Sequence, residues 1–370
     1  MAGGGSVVFV HSSDEMYGAD RMVLEVVDAL PDEVRSLAEV WLPTDLPHSA
    51  NPLCRTLEQR GVRTRHLPLP VLRRSYRSPS GIAQLAMGAE RVARSFRQAD
   101  PGLVYCTTSA TFVMSAAARA ARVPRVVGQV QEIWSPSDRR ILAPLAAANH
   151  SLITISRAVT DSLSPKLRGR TTVVPNATPE PSNWQPVSGV DGPLSYLVAS
   201  RWNGWKGHAT LLAAWASIPD PGKLVVLGGL PPSGEAVDVR ELVSRLNQGS
   251  TVEVVGEVAD CEPFLQEADV VVVPSDAPEP FGLVAIEAFA RGRPVIGSAA
   301  GGLVDIIDHG VNGWLFDPGD VSGLARILGS VTRAEVLAAG IQARQTYEER
   351  YTVQRFRVDW QDAMGRFPWS

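Results

Sequence analysis

The sequence predicts an α/β protein with two doubly wound parallel-sheet domains. A chain of 370 residues is longer than one ordinary hydrophobic core organises. Short β-rich runs alternate with helical patterns in both halves, which is typical of parallel strands joined by crossover helices. Between the halves, residues 175–193 are rich in proline and small polar residues and have no apolar period. We interpret this segment as the interdomain linker.

In the first half, the alternation predicts seven strands with helices between them. The predicted strands are Val7–Val10, Leu37–Leu42, Arg63–Leu67, Leu103–Cys106, Arg125–Val130, Leu152–Ile155 and Thr172–Val174. The predicted helices are Ala19–Leu30, Pro52–Arg60, Gly81–Gln98, Ala110–Ala121, Ser137–Ala147 and Ser156–Ser164. Ligands of such a domain bind at the carboxyl ends of the strands.

The second half repeats the same rhythm after the linker. Its predicted strands are Ser195–Ala199, Lys223–Leu227, Val252–Val255, Asp269–Val273, Pro294–Ile296 and Gly313–Phe316. A last helix is predicted over Val353–Met364, where Phe356, Trp360 and Met364 recur every four residues on one face. The predicted domain bounds are 1–180, 181–350 and, for the terminal helical segment, 351–370.

Composition and cysteine usage indicate an ordinary globular protein of a reducing compartment. Hydrophobic residues make up 45% and charged residues 20% of the chain. The apolar run Val7–Val10 is too short for a signal or membrane segment, so we expect a cytoplasmic protein. Cys54, Cys106 and Cys261 show no paired or metal-ligand spacing, and we interpret them as buried hydrophobic residues. The six histidines show no metal spacing either, and we interpret them as structural or solvent-facing.

The stretch Pro278–Glu287, P-E-P-F-G-L-V-A-I-E, has the layout of an anion site. Glu279 lies in a loop after the apolar run Val270–Val273, and Gly282 begins a helix whose first amide groups can receive an anion. Glu287 lies further along that helix. A carboxylate only accepts hydrogen bonds and therefore suits a pair of hydroxyls. The stretch predicts a site for a phosphate-bearing, hydroxyl-rich molecule.

Two cations frame the beginning of the second domain. Arg201 follows a predicted strand and Lys206 precedes a predicted helix, which places both where a diphosphate would lie. Trp202 and Trp205 lie in the same loop. They either stack on a base or sugar ring or pack as half-buried tryptophans.

The first strand is followed by a second candidate loop. Gly18 stands at the junction of strand and helix, where a ligand can approach the backbone and the free amides of the helix. The dinucleotide fingerprint G-x-G-x-x-G is absent from this sequence. The alternative interpretation of Gly18 is an ordinary turn glycine.

Together these motifs resemble the nucleotide-sugar module of family 4 retaining glycosyltransferases, also called glycosyl transferases group 1. The residues that carry the resemblance are Pro278–Gly282, Glu287–Ala290, Gly292–Ile296, Gly301-Gly302 and Gly310–Gly313, with Arg201, Lys206 and Gly207 at the family's Arg and Lys-Gly positions. The resemblance implies the GT-B fold, in which two Rossmann-like domains face each other and the C-terminal helix returns to the first. It covers most of the chain.

The resemblance also assigns roles to residues of this sequence. It implies that Glu279 orients the donor sugar, that Glu287 binds the ribose diol, and that Arg201 and Lys206 neutralise the leaving diphosphate. Further donor-binding positions are Gly18, Phe281, Gly282, Leu283, Gly228 and Val258, and Gln131 and Glu132 stand at the family's His-Glu or His-Asp position, next to acceptor or sugar. The first-strand loop departs from the family's Gly-Gly-Ala-Glu, because Tyr17 and Asp20 replace its first glycine and its acid.

The predicted function is retaining transfer of a hexose-type sugar from a nucleoside diphosphate sugar to an acceptor hydroxyl of a glycan, glycolipid precursor or small molecule. We expect no cofactor and no metal, since no DxD-like acid pair stands at a loop that would bind a metal diphosphate. Two alternatives stay open. One is a sugar-nucleotide epimerase, and the other is a non-catalytic nucleotide-sugar binding protein.

The charge distribution suggests an anionic partner. Residues 55–97 contain ten arginines and two acids, a net charge of +8, so the rest of the chain, with 25 basic and 37 acidic residues, carries −12. Arg73, Arg74 and Arg77 lie beside apolar residues in this region. They favour peripheral contact with an anionic membrane or a lipid-linked acceptor. A soluble acidic acceptor and a solvated arginine-rich face are the alternatives, and we expect no nucleic-acid partner.

Overall fold

The chain forms two compact units, each built on its own parallel sheet. The computed structural model describes residues 6–45, 52–73, 78–190, 192–231, 235–246 and 251–365. The first unit comprises residues 1–176 together with 354–370, and the second comprises residues 177–353. The first unit is therefore assembled from two separate stretches of sequence.

The first unit contains a seven-stranded parallel sheet in the order β3-β2-β1-β4-β5-β6-β7. Its strands are β1 Val7–Val10, β2 Ala38–Pro43, β3 Arg63–Leu67, β4 Leu103–Cys106, β5 Arg125–Val130, β6 Ser151–Thr154 and β7 Thr171–Val173. Its helices are α1 Gly18–Asp28, α2 Asp32–Arg35, α3 Pro52–Gln59, α4 Pro79–Ala99, α5 Phe112–Ala120, α6 Pro136–Ala146, α7 Arg157–Ser162 and α8 Pro165–Arg168.

The second unit contains a six-stranded parallel sheet in the order β10-β9-β8-β11-β12-β13. Its strands are β8 Ser195–Ala199, β9 Lys223–Leu227, β10 Val252–Gly256, β11 Val270–Val273, β12 Val295–Ser298 and β13 Gly313–Phe316. Its helices are α9 His208–Ala216, α10 Val239–Ser244, α11 Glu262–Glu267, α12 Leu283–Ala290, α13 Leu303–Ile306, α14 Val321–Ser330 and α15 Arg333–Arg350, and α16 Val353–Met364 follows.

The strand pattern follows from burial. All four residues of β1, β4 and β11 are buried, as expected for central strands of a parallel sheet that is covered on both faces. The edge strand β3 is instead polar and largely exposed, which protects the open edge of the sheet. The predicted strands are confirmed, with ends that differ by at most two residues.

Helix α16 returns to the first unit through its apolar stripe. Phe356, Trp360 and Met364 are all buried. The Trp360 indole Nε1 donates to the Tyr105 hydroxyl at 3.2 Å, and the Gln361 amide donates to the backbone carbonyl of Ala29 at 2.7 Å. The spacing of four in the sequence thus identified the face that packs.

None of the described helices is long and apolar enough to span a membrane. Cys54 and Cys106 are buried as predicted, but Cys261 is only partly buried, because it precedes the short helix α11 at the surface.

Both sheets reverse their strand order at one point. In the first sheet the reversal lies between β1 and β4, and in the second between β8 and β11. Loops that leave the carboxyl ends of two such strands diverge and leave a crevice, where ligands of doubly wound sheets bind. The loops after β8 and β11 contain Lys206 and Glu279, so the strand order places these two side chains at the expected ligand crevice of the second sheet.

Candidate active site

An ion pair joins the two loops at the reversal point of the second sheet. The Lys206 ammonium Nζ lies 2.6 Å from Glu279 Oε1, and the Ser275 hydroxyl donates to the same oxygen at 2.6 Å. Both partners are largely buried, with 20% of the Lys206 side chain and 6% of the Glu279 side chain exposed. A charge-assisted bond in such a setting holds the carboxylate in one orientation.

Glycines bring the loops close enough for this pair to form. Gly207 has a left-handed backbone with φ +72°, and a Cβ atom there would lie 1.8 Å from the carbonyl oxygen of Pro274, at the end of β11. Gly301, with φ +66°, touches Glu279 in the same way, since its Cβ would lie 2.0 Å from the Glu279 carbonyl oxygen. The Gly302 amide then donates to that oxygen at 2.7 Å. The backbone of Glu279 is therefore held from two directions.

Helix α12 begins directly after Glu279. Gly282 precedes it with φ +111°, and Leu283 is its first residue. Phe281 is buried against the ring of Tyr351. Glu287 is half-buried on α12, one turn from its start. The first amides of a helix lack acceptors in a preceding turn, so the start of α12 offers the donors that an anion site requires.

The other predicted donor residues lie at neighbouring strand ends. Arg201 is half-buried after β8, and Gly228 is half-buried after β9. A Cβ atom on Gly228 would lie 2.0 Å from the carbonyl oxygen of Ser200, so the ends of β8 and β9 are in contact. Val258 is half-buried in the loop after β10. These residues share the carboxyl edge of the second sheet with Lys206 and Glu279.

The two tryptophans of the loop after β8 differ. Trp202 is buried and lies in the core of the second unit. Trp205 is exposed, and Lys206 Nζ lies 4.1 Å from its ring centroid. A cation over an aromatic face is held electrostatically. Trp202 is thus a packing residue, whereas Trp205 keeps one face available.

His208, the first residue of α9, is a residue whose setting sequence reasoning missed. It is buried, and burial and then the charge of Lys206 lower its pKa to about 4. Its Nδ1 has no hydrogen-bond partner within the described part of the chain. The imidazole is therefore neutral at neutral pH. Ser275, which positions Glu279, was also missed, since nothing in the sequence distinguishes it from other loop serines.

The loop after β1 in the first unit is built around a buried histidine. His11 Nδ1 lies 2.6 Å from the Thr107 hydroxyl, and Nε2 lies 2.9 Å from Asp20 Oδ1. Asp20 also accepts from the backbone amide of Tyr17 at 2.9 Å, which fixes the start of α1 at Gly18. Burial raises the pKa of Asp20, but the bonds from His11, Ser13 and Tyr17 outweigh it and hold the pKa below its ordinary value.

Gln131 and Glu132 follow β5, and the structure connects both to the loop after β4. The Gln131 amide donates to the carbonyl of Thr107 at 3.1 Å, and Glu132 Oε2 accepts from the Ser109 hydroxyl at 2.7 Å. Burial raises the pKa of Glu132 even though these hydrogen bonds act against the shift.

The basic loop lies partly outside the described residues. Arg74 and Arg77 belong to the part that is not described. Arg73 is described, and its guanidinium makes two hydrogen bonds of 3.0 Å with the Asp45 carboxylate and one of 2.9 Å with the carbonyl of Ser12. Arg73 thus contributes to the packing of the first unit, and its charge is balanced by Asp45.

Comparison with known proteins identifies the second unit. Residues 194–333, which carry β8 to α14 and the Lys206–Glu279 pair, match the family described as glycosyl transferases group 1. This segment is therefore similar to group 1 glycosyltransferases. The resemblance predicted from the sequence is confirmed over these residues.

Curated relatives match over part of the chain. D-inositol 3-phosphate glycosyltransferase of Xylanimonas cellulosilytica is 40% identical over 166 residues, which is 42% of this chain and 38% of that protein. N-acetyl-alpha-D-glucosaminyl L-malate synthase of Bacillus anthracis is 31% identical over 135 residues, 36% of this chain and 34% of that protein. The chain thus spans between a third and two fifths of the length of these relatives.

Solved structures match the fold over nearly the whole chain. HepE of Anabaena, crystallised with UDP and glucose, has a TM-score of 0.79 at 23% identity and covers 98% of this chain and 100% of its own. The apo form of the lipopolysaccharide outer core galactosyltransferase WaaB has a TM-score of 0.77 at 15% identity, and the match covers 97% of this chain and 99% of WaaB. The predicted GT-B fold class, with two Rossmann-like domains and a returning C-terminal helix, is confirmed.

Proposed function

We propose that the protein is a retaining glycosyltransferase that moves a hexose-type sugar from a nucleoside diphosphate sugar to an acceptor hydroxyl. The observation that carries the proposal is the Lys206–Glu279 pair at the reversal point of the second sheet, beside the start of α12. A cation and helix amides suit the diphosphate, and a carboxylate suits the sugar hydroxyls. Retention of configuration rests on the family resemblance.

In the proposed reaction, the bond between the sugar C1 and the diphosphate oxygen breaks, and a bond from C1 to the acceptor oxygen forms. The departing diphosphate oxygen takes the bonding electrons and gains negative charge, and the proton of the acceptor hydroxyl passes to that oxygen or to solvent. Lys206 and Arg201, with the first amides of α12, stabilise that charge without a metal or cofactor. Glu279 orients the sugar hydroxyls, and Ser275 keeps its carboxylate in place.

Glu287 is proposed to bind the ribose diol of the donor. It lies on α12, one turn beyond the amides assigned to the diphosphate, so one nucleotide lying along the helix could contact both. Glu287→Gln should therefore weaken the binding of free nucleoside diphosphate as much as the binding of the nucleotide sugar. Isothermal titration with both ligands checks this, and selective loss of the nucleotide sugar would reverse the roles of the two glutamates.

The first experiment distinguishes a transferase from the epimerase and from the non-catalytic binding protein. The protein is incubated with a panel of nucleotide sugars, beginning with UDP-glucose because HepE binds UDP and glucose, with and without candidate acceptors. Acceptor-dependent release of nucleoside diphosphate supports the proposal. An epimerised nucleotide sugar without acceptor supports the epimerase, and binding without turnover across the panel supports the binding protein.

We further propose that the acceptor is anionic or lipid-linked and that the first unit contacts the cytoplasmic face of a membrane. The charge of Arg73 is balanced by Asp45, so the support for membrane contact comes from α4 instead. Ile82 and Met87 are 63% and 58% exposed there, and Arg91 and Arg94 are exposed on the same helix. Apolar and basic side chains together favour an anionic bilayer.

Co-sedimentation with anionic and neutral vesicles over a salt series tests this part. Salt-sensitive binding that Ile82→Ser/Met87→Ser loses supports contact through α4. Loss in Arg73→Ser/Arg74→Ser/Arg77→Ser instead would locate the contact in the basic loop. Absence of binding at low salt would leave a soluble acidic acceptor.

A further inference from the structure

Metal-binding side chains converge at the β3 edge of the first unit. Cys54 and Glu58 are four residues apart on α3 and so share one face of the helix. Thr64 and His66 are two residues apart on β3 and so share one face of the strand. Asp14 reaches the same place from the loop after β1. Three separate parts of the sequence thus supply thiol, imidazole and carboxylate groups to one spot.

The distances show how close these groups are. His66 Nε2 lies 2.8 Å from Asp14 Oδ2, and the Cys54 sulfur lies 3.5 Å from Glu58 Oε1. One ligand atom each from Asp14, Cys54 and His66 can be chosen so that all lie within 4.8 Å of one another. Asp14 and Cys54 are buried, whereas 31% of the His66 side chain is exposed. The cluster is therefore buried on one side and open to solvent on the other.

We propose that Asp14, Cys54 and His66 bind a zinc ion, with the fourth position of its tetrahedron on the solvent side. Thiolate, imidazole and carboxylate are the groups that zinc takes in tetrahedral sites, at about 2.0–2.3 Å. Ligand atoms at those distances lie about 3.3–3.7 Å apart, within the range of this cluster. Magnesium and calcium prefer oxygen ligands alone, so a thiol and an imidazole favour zinc.

The surroundings of the cluster suit this assignment. The Thr64 hydroxyl donates to Glu58 Oε1 at 2.9 Å, and the backbone amide of Cys54 donates to Asp14 Oδ1 at 2.9 Å. Each carboxylate is thus oriented by a second hydrogen bond while its other lone pairs stay available. On binding, zinc replaces the thiol proton of Cys54, and the proton leaves to solvent. The ion would connect α3 and β3 to the loop after β1 and needs no part in sugar transfer.

The test uses the full chain without a histidine tag, stripped of metal by a chelator. Zinc titration should give one equivalent bound per chain and raise the Tm of thermal unfolding. Cobalt(II), used as a spectroscopic substitute, should give the absorption of a thiolate-bound tetrahedral ion. Cys54→Ser should remove that thiolate absorption. His66→Asn should weaken zinc binding by more than about 10-fold, because residues that only support a ligand already contribute on that scale.

Cys261→Ser is the matched control, because it removes a partly exposed thiol elsewhere in the protein. It should bind cobalt and zinc like the parent. Should Cys54→Ser fail to fold, His66→Asn at the exposed edge decides the question. Absence of zinc binding at 100 µM, or unchanged binding in His66→Asn, would overturn the proposal. The readouts do not involve transfer, so their failure is separate from failure of the proposed function.

Discussion

The two sheets of this protein have the same strand order around their reversal points and different chemistry there. In the second unit the loops after β8 and β11 meet through a lysine and a glutamate, with the exposed ring of Trp205 alongside. In the first unit the loops after β1 and β4 meet through His11 and Thr107, both fully enclosed. Topology thus determines where a crevice forms, and the side chains determine whether it offers charge to a ligand.

The two units also differ in their use of glycines with a left-handed backbone. Among the described glycines with left-handed φ, only Gly61 and Gly365 belong to the first unit. Those of the second unit include Gly207, Gly228 and Gly301, each of which touches the backbone of a neighbouring loop. The second unit therefore uses glycine to bring its loops together, and the first uses hydrogen-bonded side chains.

The largest effect should come from removing Glu279. Glu279→Ala should abolish transfer, a loss above about 10³ in kcat, because the sugar loses its orienting carboxylate and Lys206 loses its partner. The matched control is Glu253→Ala, which breaks an exposed Lys223–Glu253 pair in the same unit, with side chains 59% and 54% exposed. Turnover and Tm are measured for both. If Glu279→Ala kept the turnover of the parent protein, the charged pair would not matter for transfer, and the proposed difference between the two crevices would be wrong.

Lys206 should follow in size. Lys206→Ala should lower kcat by about 10²- to 10³-fold, the scale for one preorganised charge stabiliser, and Arg201→Ala should act similarly. Lys223→Ala, which removes the exposed lysine of the control pair, should leave kcat unchanged. Steady-state kinetics separates kcat from KM. An effect on KM alone would mean that Lys206 binds the ground state and transition state equally.

A glycine in each unit tests the backbone difference. Gly61→Ala should cost about 1–2 kcal/mol, the strain of a left-handed alanine, because nothing lies within 4 Å of its new Cβ. Gly301→Ala should cost at least about 2 kcal/mol more, since its Cβ collides with the Glu279 backbone. It should also impair transfer. Chemical denaturation gives the free energies of unfolding. Equal losses of stability in Gly61→Ala and Gly301→Ala would contradict the close contact between Gly301 and the Glu279 backbone.

The last prediction concerns the pH dependence of stability. The pKa of His208 is about 4 in the folded protein and near 6.5 when unfolded. Between these values the unfolded chain binds more protons, so the free energy of unfolding should fall with decreasing pH, by up to about 1.4 kcal/mol per unit. His208→Gln should flatten this slope relative to the parent protein. Urea unfolding of both proteins from pH 7 to 4.5 checks this, and an unchanged slope in His208→Gln would show that His208 does not cause it.

Much of the fold was predictable because strand ends are local features. The apolar run of β11 stops at Pro274, and β8 stops before Arg201, so both loops could be assigned from the sequence. The contact between Lys206 and Glu279 could not, because it depends on which strands are neighbours in the sheet. The same limit explains Arg73, whose partner Asp45 is far away in sequence. It also explains why spacing gave no hint of the cluster around Cys54.

The buried stripe of α16 has a consequence for biosynthesis. The ribosome completes every residue of the second unit before it makes Trp360, whose ring packs against Tyr105 of the first unit. The amino-terminal half of the chain must therefore wait with part of its interior uncovered while the later half folds. A nascent chain arrested before Gln354 would expose this apolar surface to chaperones and proteases, although its sheet-forming segments would all be present.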